Sequence, residues 1–138
     1  MLVKTQYHDS ERDSKPHPEL TGKQTTAFLI FNITMNEFLE TEEKIVRMLK
    51  TVFDPEIPVN IYDLGLIYKI DLDAEGFLVI DMTLTAPNCP AVDFIVEDVR
   101  MKTLSVEGVK DVHVNIVYEP AWDKSMMSEE AQLELGFL

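Results

Sequence analysis

The segment at residues 82–99 constrains the fold of this chain more than any other stretch. It reads MTLTAPNCPAVDFIVEDV and contains the only cysteine of the chain, Cys89. Alternating apolar residues, a loop with two prolines and then a helical apolar period predict that a strand passes through a tight loop into a helix. Pro90 lacks a backbone N–H and therefore suits the first helical position, which would place Cys89 at the helix cap.

The chemistry of Cys89 has two interpretations. A thiol beside the free N–H groups and the positive dipole of a helix start gains thiolate character, and a thiolate can attack an electrophile or bind a soft metal such as iron. A lone cysteine is also commonly a small hydrophobic residue of the core. Both interpretations stay open at this point.

The apolar periodicity of the remaining chain predicts the order helix, strand, strand, helix, strand, helix. The predicted elements are a helix at 37–52, strands at 66–72 and 77–85, a helix at 90–104, a strand at 109–118 and a short helix after Ser128. Four turn residues at 73–76 join the first two strands into a hairpin. These elements predict an α/β (α+β) fold, a two-layer sandwich in which a three-stranded mixed sheet carries its helices on one face.

Residues 1–34 differ in character from the rest of the chain. Residues 1–24 are polar and charged, and the apolar run at 27–31 comes too late for a secretory signal. We expect a polar leader at 1–34, disordered or partly docked, and one domain at 35–138. The leader is a tail, a segment whose residues 27–31 add an edge strand to the sheet, or translated sequence upstream of a native start at Met35.

The charge of the chain limits its partners. It carries 25 acidic and 12 basic residues, a formal net charge of −13. Such a surface repels nucleic-acid backbones and anionic membranes, so we expect neither as a partner. A single cysteine cannot form an internal disulfide, which favours a reducing cytoplasm. No apolar run approaches the length of a membrane span.

Three polar features converge on one end of the predicted sheet. The acidic loop at 54–65 precedes the first strand, and Thr83 and Thr85 end the second, on the face opposite the core. Because the two strands form an antiparallel hairpin, these ends are neighbours, and we expect Asp63 to lie near Thr85 and Cys89. A nucleophilic Cys89 would need a base, yet His113 lies in the middle of a strand. A complete iron–sulfur site takes about four thiolates, so a bound cluster would be shared with another chain, a partner protein or a small thiol.

Several motifs, in one order along the chain, resemble the SufT/PaaD-like iron–sulfur assembly family. They are DPEIPV from Asp54, YDLGLI from Tyr62, MTLT from Met82 followed by NCP, and EPAW from Glu119. The resemblance extends from about residue 37 to the C-terminus. It implies a small two-layer α/β domain that takes part in the maturation of iron–sulfur proteins. It also implies functional roles for Asp54, Glu56, Asp63, Thr83, Thr85 and Cys89, with Cys89 as the cluster or metal contact.

We therefore expect an accessory factor that helps to assemble iron–sulfur clusters or to transfer them to apo-proteins, and that is not an enzyme. Its cofactor would be an iron–sulfur cluster, held transiently or shared between chains. Its partners would be iron–sulfur assembly proteins and apo-protein targets, with a homodimer as a further possibility. The alternatives are a cysteine-dependent thiol enzyme and a protein-interaction module whose cysteine is structural.

Overall fold

The computed structural model describes residues 22–137, with their side chains from residue 26 onward. The chain divides into two compact units, Met1–Thr34 and Met35–Leu138. Most of the expected leader, residues 1–21, lies outside the described residues. The described part of the first unit, residues 22–34, is helical. The alternative of an edge strand at residues 27–31 is therefore wrong.

The order of the elements confirms the predicted fold class. The elements are α1 (Gly22–Leu49), β1 (Ile67–Leu72), β2 (Phe77–Met82), α2 (Val92–Leu104), β3 (Asp111–Ile116), a 3-10 helix (Lys124–Met126) and α3 (Glu129–Glu134). Ser128 caps α3, as its sequence predicts, because the Ser128 hydroxyl accepts a hydrogen bond from the Ala131 N–H. None of the helices within residues 22–137 is long and apolar enough to cross a membrane.

The sheet of the described chain has three strands in the order β1-β2-β3. β1 and β2 pair antiparallel, whereas β2 and β3 pair parallel through α2, which makes the sheet mixed. Asp73 shapes the β1–β2 turn, since its carboxylate accepts hydrogen bonds from the N–H groups of Glu75 and Phe77. The predicted hairpin is thus confirmed.

One face of the sheet and one stripe of each long helix form the core. Its fully buried side chains come from all layers: Ile45 and Leu49 of α1, Leu78, Ile80 and Met82 of β2, and Ile95 and Val99 of α2. These residues recur at a spacing of four in each helix and of two in the strand, as expected for a helix and a strand that each bury one face.

Both long helices have boundaries that differ from the prediction. α1 begins at Gly22 rather than at residue 37 because neither glycine nor proline interrupts residues 23–54, so the helical hydrogen bonds continue through the apolar run. It ends at Leu49, whose carbonyl accepts a hydrogen bond from the Val52 N–H in a tight turn. α2 begins at Val92 rather than at Pro90.

A β-bulge interrupts the predicted alternation in β1. Ile67 pairs with Met82, and Lys69 pairs with Asp81, the residue next to Met82 in β2. Tyr68 therefore has no partner of its own and is the extra residue of the bulge. Ile67 therefore joins the core side, contrary to the simple alternation, and packs against the core.

Candidate functional site

The acidic loop at residues 54–65 is packed into the domain by its own apolar residues. Val59, Ile61 and Leu64 are at most 3% exposed, and Phe53 forms an isolated antiparallel bridge with Asn60. The loop has no regular period, as predicted, but it is anchored by the core.

Asp54, a predicted site residue, holds the first turn of this loop. Its side chain is buried, and Oδ1 accepts hydrogen bonds from the backbone N–H of Glu56 at 2.8 Å and of Ile57 at 3.1 Å. This is the geometry of an Asx turn. Glu56, the next predicted site residue, has an exposed side chain. Asp54 therefore acts on the fold of the loop, and Glu56 lies at its surface.

Replacing Asp54 with alanine should lower the free energy of unfolding by about 2 kcal/mol, because two backbone amides lose the buried carboxylate that accepts their hydrogen bonds. Asp54→Asn is the matched control, since its carbonyl oxygen can still accept both bonds, and it should cost about 0.5 kcal/mol. Urea denaturation of both variants measures the difference. Equal losses would show that the charge of Asp54, not its turn geometry, stabilises the loop.

Asp63 is held by Asn60, a residue that the sequence analysis missed. The Asn60 amide Nδ2 donates to Asp63 Oδ2 at 2.7 Å, and the Asp63 N–H donates to Asn60 Oδ1 at 2.9 Å. The N-x-x-D spacing was the available signal, because asparagine commonly bonds to backbone groups a few residues ahead.

Tyr62, the residue before Asp63, makes a cation–π contact. The Lys50 ammonium lies 5.4 Å from the centroid of its ring.

Strand pairing brings the end of the loop beside Thr83. The Thr83 N–H donates to the Leu66 carbonyl at 2.8 Å, which extends the β1–β2 ladder beyond Met82. Thr83 is only 2% exposed, although the alternation of β2 places it on the face of the sheet opposite the core. Thr85 and Cys89 are half-buried.

Cys89 lies before the helix rather than at its cap. The N-cap residue of α2 is Ala91, and the Val92 N–H donates to the Cys89 carbonyl at 3.3 Å across a turn that contains Pro90. The predicted cap position is therefore wrong, since α2 begins two residues after Pro90. The Cys89 side chain packs against the core, while residues 86–88 and Pro90 are exposed. The thiol is therefore half-buried within an otherwise exposed loop.

The segment at residues 120–128, here called the C-terminal strap, contacts the same loop. The indole N–H of Trp122 donates to the Leu64 carbonyl at 2.7 Å, and the Ser128 N–H donates to the Asp63 carbonyl at 2.8 Å. Sequence reasoning did not connect the strap with the loop. The available signal was the polar edge of Trp122, which needs a hydrogen-bond partner when it is buried.

The described residues of one chain do not form a complete metal site. Within the part of the chain that the structure describes, no group of three or more His, Cys, Asp or Glu side chains is arranged to hold a metal ion. Cys89 contributes one soft ligand, whereas the carboxylates of the acidic loop are hard ligands, of which Asp54 and Asp63 already accept hydrogen bonds.

Comparison with known proteins gives the site a context. A family described as "Iron-sulfur cluster assembly protein" matches residues 42–116. The "Fe-S protein maturation auxiliary factor" of Porphyromonas gingivalis is 71% identical over 75% of this chain and 98% of that protein. The "Fe-S protein maturation auxiliary factor YitW" of Bacillus subtilis is 41% identical over 69% of this chain and 93% of that protein. A solved domain of unknown function from Bacillus anthracis is 40% identical, with a TM-score of 0.66, over 72% of this chain and 94% of that domain.

Proposed function

Because the chain belongs to the iron–sulfur cluster assembly protein family, we propose that it is an accessory factor in the assembly of iron–sulfur clusters or their transfer to apo-proteins, acting through Cys89. The observation that carries this proposal is the position of Cys89. It is the only thiol of the chain, and it is half-buried in a loop whose neighbouring residues 86–88 and Pro90 are exposed. A thiolate is the ligand that binds iron in such clusters.

The cluster is the cargo of this protein and is shared. A complete site takes about four thiolates, and one chain supplies one. The remaining ligands come from a second copy, an assembly protein, an apo-protein target or a small thiol. Because this chain provides only about one of the four thiolates, it can release the cluster to a protein that provides all of them.

The other predicted site residues support this role through their polar groups. The Thr85 hydroxyl can donate a hydrogen bond to a sulfur atom, and such bonds tune the properties of a cluster. Asn60 occupies one carboxylate oxygen of Asp63, whereas the other oxygen accepts no hydrogen bond from residues 26–137. That oxygen is available to a ligand or a partner. We assign Thr83 to the support of this region, because its side chain is enclosed.

The proposed role is not enzymatic. Nucleophilic catalysis by Cys89 would require a positioned base, and His113 is exposed on β3 opposite Val79, inside the strand rather than at its end. The interaction-module alternative gains support from the contact of Cys89 with the core. A measurement of cluster binding distinguishes the accessory factor, which binds a cluster through Cys89, from the interaction module, which does not.

Anaerobic reconstitution with ferrous iron and sulfide tests the proposal. The wild-type protein should acquire the visible absorption of an iron–sulfur cluster, and Cys89→Ser should acquire about ten-fold less or none, because it loses the soft ligand. Cys89→Ala controls for residual ligation by the serine hydroxyl. Melting temperatures establish that all three proteins are folded. Equal absorption in all three would show that Cys89 is not a ligand and would favour the interaction module.

A further inference from the structure

Three consecutive residues of the acidic loop are each contacted by the C-terminal strap. The Asp63 carbonyl accepts from the Ser128 N–H, and the Leu64 carbonyl accepts from the Trp122 indole N–H. Gly65 lies directly against the strap, since a Cβ built on it would overlap the backbone carbonyl of Met126. The strap therefore holds the backbone of residues 63–65 at successive points.

The strap is itself fixed at several positions. At its start, the Tyr68 hydroxyl donates to the Pro120 carbonyl at 2.7 Å, and it reaches that carbonyl from the bulge in β1. In its middle, Asp123 accepts a hydrogen bond from the Ser125 N–H and begins the 3-10 helix. Near its end, Met127 is buried in the core at 6% exposure. The strap is thus an ordered support for the loop.

Asp63 is therefore held from two sides. The strap fixes its carbonyl through Ser128, while Asn60 fixes its N–H and one carboxylate oxygen. Fixing both the backbone and the side chain sets the direction of the carboxylate. Groups that orient the residues of a metal or binding site in this way commonly affect its performance as strongly as some of the direct ligands do.

We propose that the C-terminal strap is the positioning element of the candidate site, with Trp122 as its anchor. It holds residues 63–65 so that Asp63 is presented in one orientation beside the strand end that leads to Cys89. Trp122 acts through the loop and is a positioning residue. The inference rests on the proposed function, since it assigns the strap a part in holding the cluster.

The test is Trp122→Phe, which keeps an aromatic ring and removes the N–H that bonds to Leu64. Hydrogen exchange of the loop amides at Leu64, Gly65 and Leu66 should become about five-fold faster, the factor expected for one lost hydrogen bond. The reconstituted cluster should be lost to an iron chelator about ten-fold faster than from the wild type. Tyr118→Phe is the matched control, because it removes a polar group, the hydroxyl, from an exposed aromatic side chain and should change neither rate.

A second control separates positioning from stability. Leu72→Ala removes a buried side chain at the hairpin end of the sheet, and the rates are compared at temperatures equally far below each melting point. Faster cluster loss from Trp122→Phe than from Leu72→Ala supports the positioning role, and equal loss overturns it. Unchanged cluster loss from Trp122→Phe also overturns it while leaving the proposed function intact. If the wild type takes up no cluster, the proposed function fails and the role of the strap fails with it.

Discussion

Gly65→Ala should lower the free energy of unfolding by about 3 kcal/mol, which corresponds to a fall in melting temperature of roughly 15 °C for a domain of this size. Two effects add. Gly65 has a φ of +77°, where an L side chain is strained, and the new Cβ would meet the Met126 carbonyl. Removing this overlap would require the backbone of the strap to shift, because the closest atoms to the new Cβ are the backbone O and C of Met126. Urea denaturation and thermal melting measure the loss.

Gly136→Ala is the matched control for this substitution. Gly136 has a φ of +78°, and nothing lies within 4 Å of the position that its Cβ would occupy. This variant should lose about 1 kcal/mol from backbone strain alone. The difference between the two alanine variants therefore measures the contact between loop and strap. If the two lost the same stability, the strap would not press against Gly65 in solution.

In cells that lack the gene, Cys89→Ser and Thr85→Val should both fail to restore iron–sulfur enzyme activity above the level of the uncomplemented strain. Cys89→Ser removes the soft ligand, and Thr85→Val removes a hydroxyl while keeping the β-branched shape. Because both side chains are only half-buried, both proteins should melt close to the wild type, within about 0.5 kcal/mol of unfolding free energy. The measurement is the specific activity of an iron–sulfur enzyme in extracts.

Thr51→Val provides the control for Thr85→Val. Thr51 is exposed, and its hydroxyl bonds only to the Met48 carbonyl one helical turn earlier. The same chemical change at this position should leave enzyme activity at the wild-type level. Full activity with both Cys89→Ser and Thr85→Val would mean that these residues do not form a functional site, and the interaction-module alternative would then explain the protein better.

The layers of the fold could be predicted because their signals are local. In β2, apolar residues alternate at Leu78, Ile80 and Met82, and these side chains are all buried as that alternation requires. The turn before β2 follows from Asp73 and Gly76, residues that bond to turn amides or adopt a positive φ. The motifs that resemble the assembly family lie instead in and beside the loops, at residues 54–67 and 82–90. The family match over residues 42–116 covers these motifs and confirms the resemblance.

The features that could not be predicted depend mainly on contacts between residues far apart in the sequence. Trp122 bonds to Leu64 across 58 positions, and no local period reveals such a partner. Alternation assigns Thr83 to the face opposite the core, but its N–H pairs with the Leu66 carbonyl and its side chain is buried. The run at residues 27–31 was ambiguous in itself, since a short apolar run fits a strand or a helix equally well.

The long separation between Leu64 and Trp122 also sets an order of events during synthesis. At about 5–20 residues per second, roughly 3–12 s pass on the ribosome between the addition of these two residues. Cys89 and the acidic loop are therefore translated before the residues that brace the loop. A nascent chain therefore carries both the acidic loop and Cys89 before Trp122 is available to bond to Leu64.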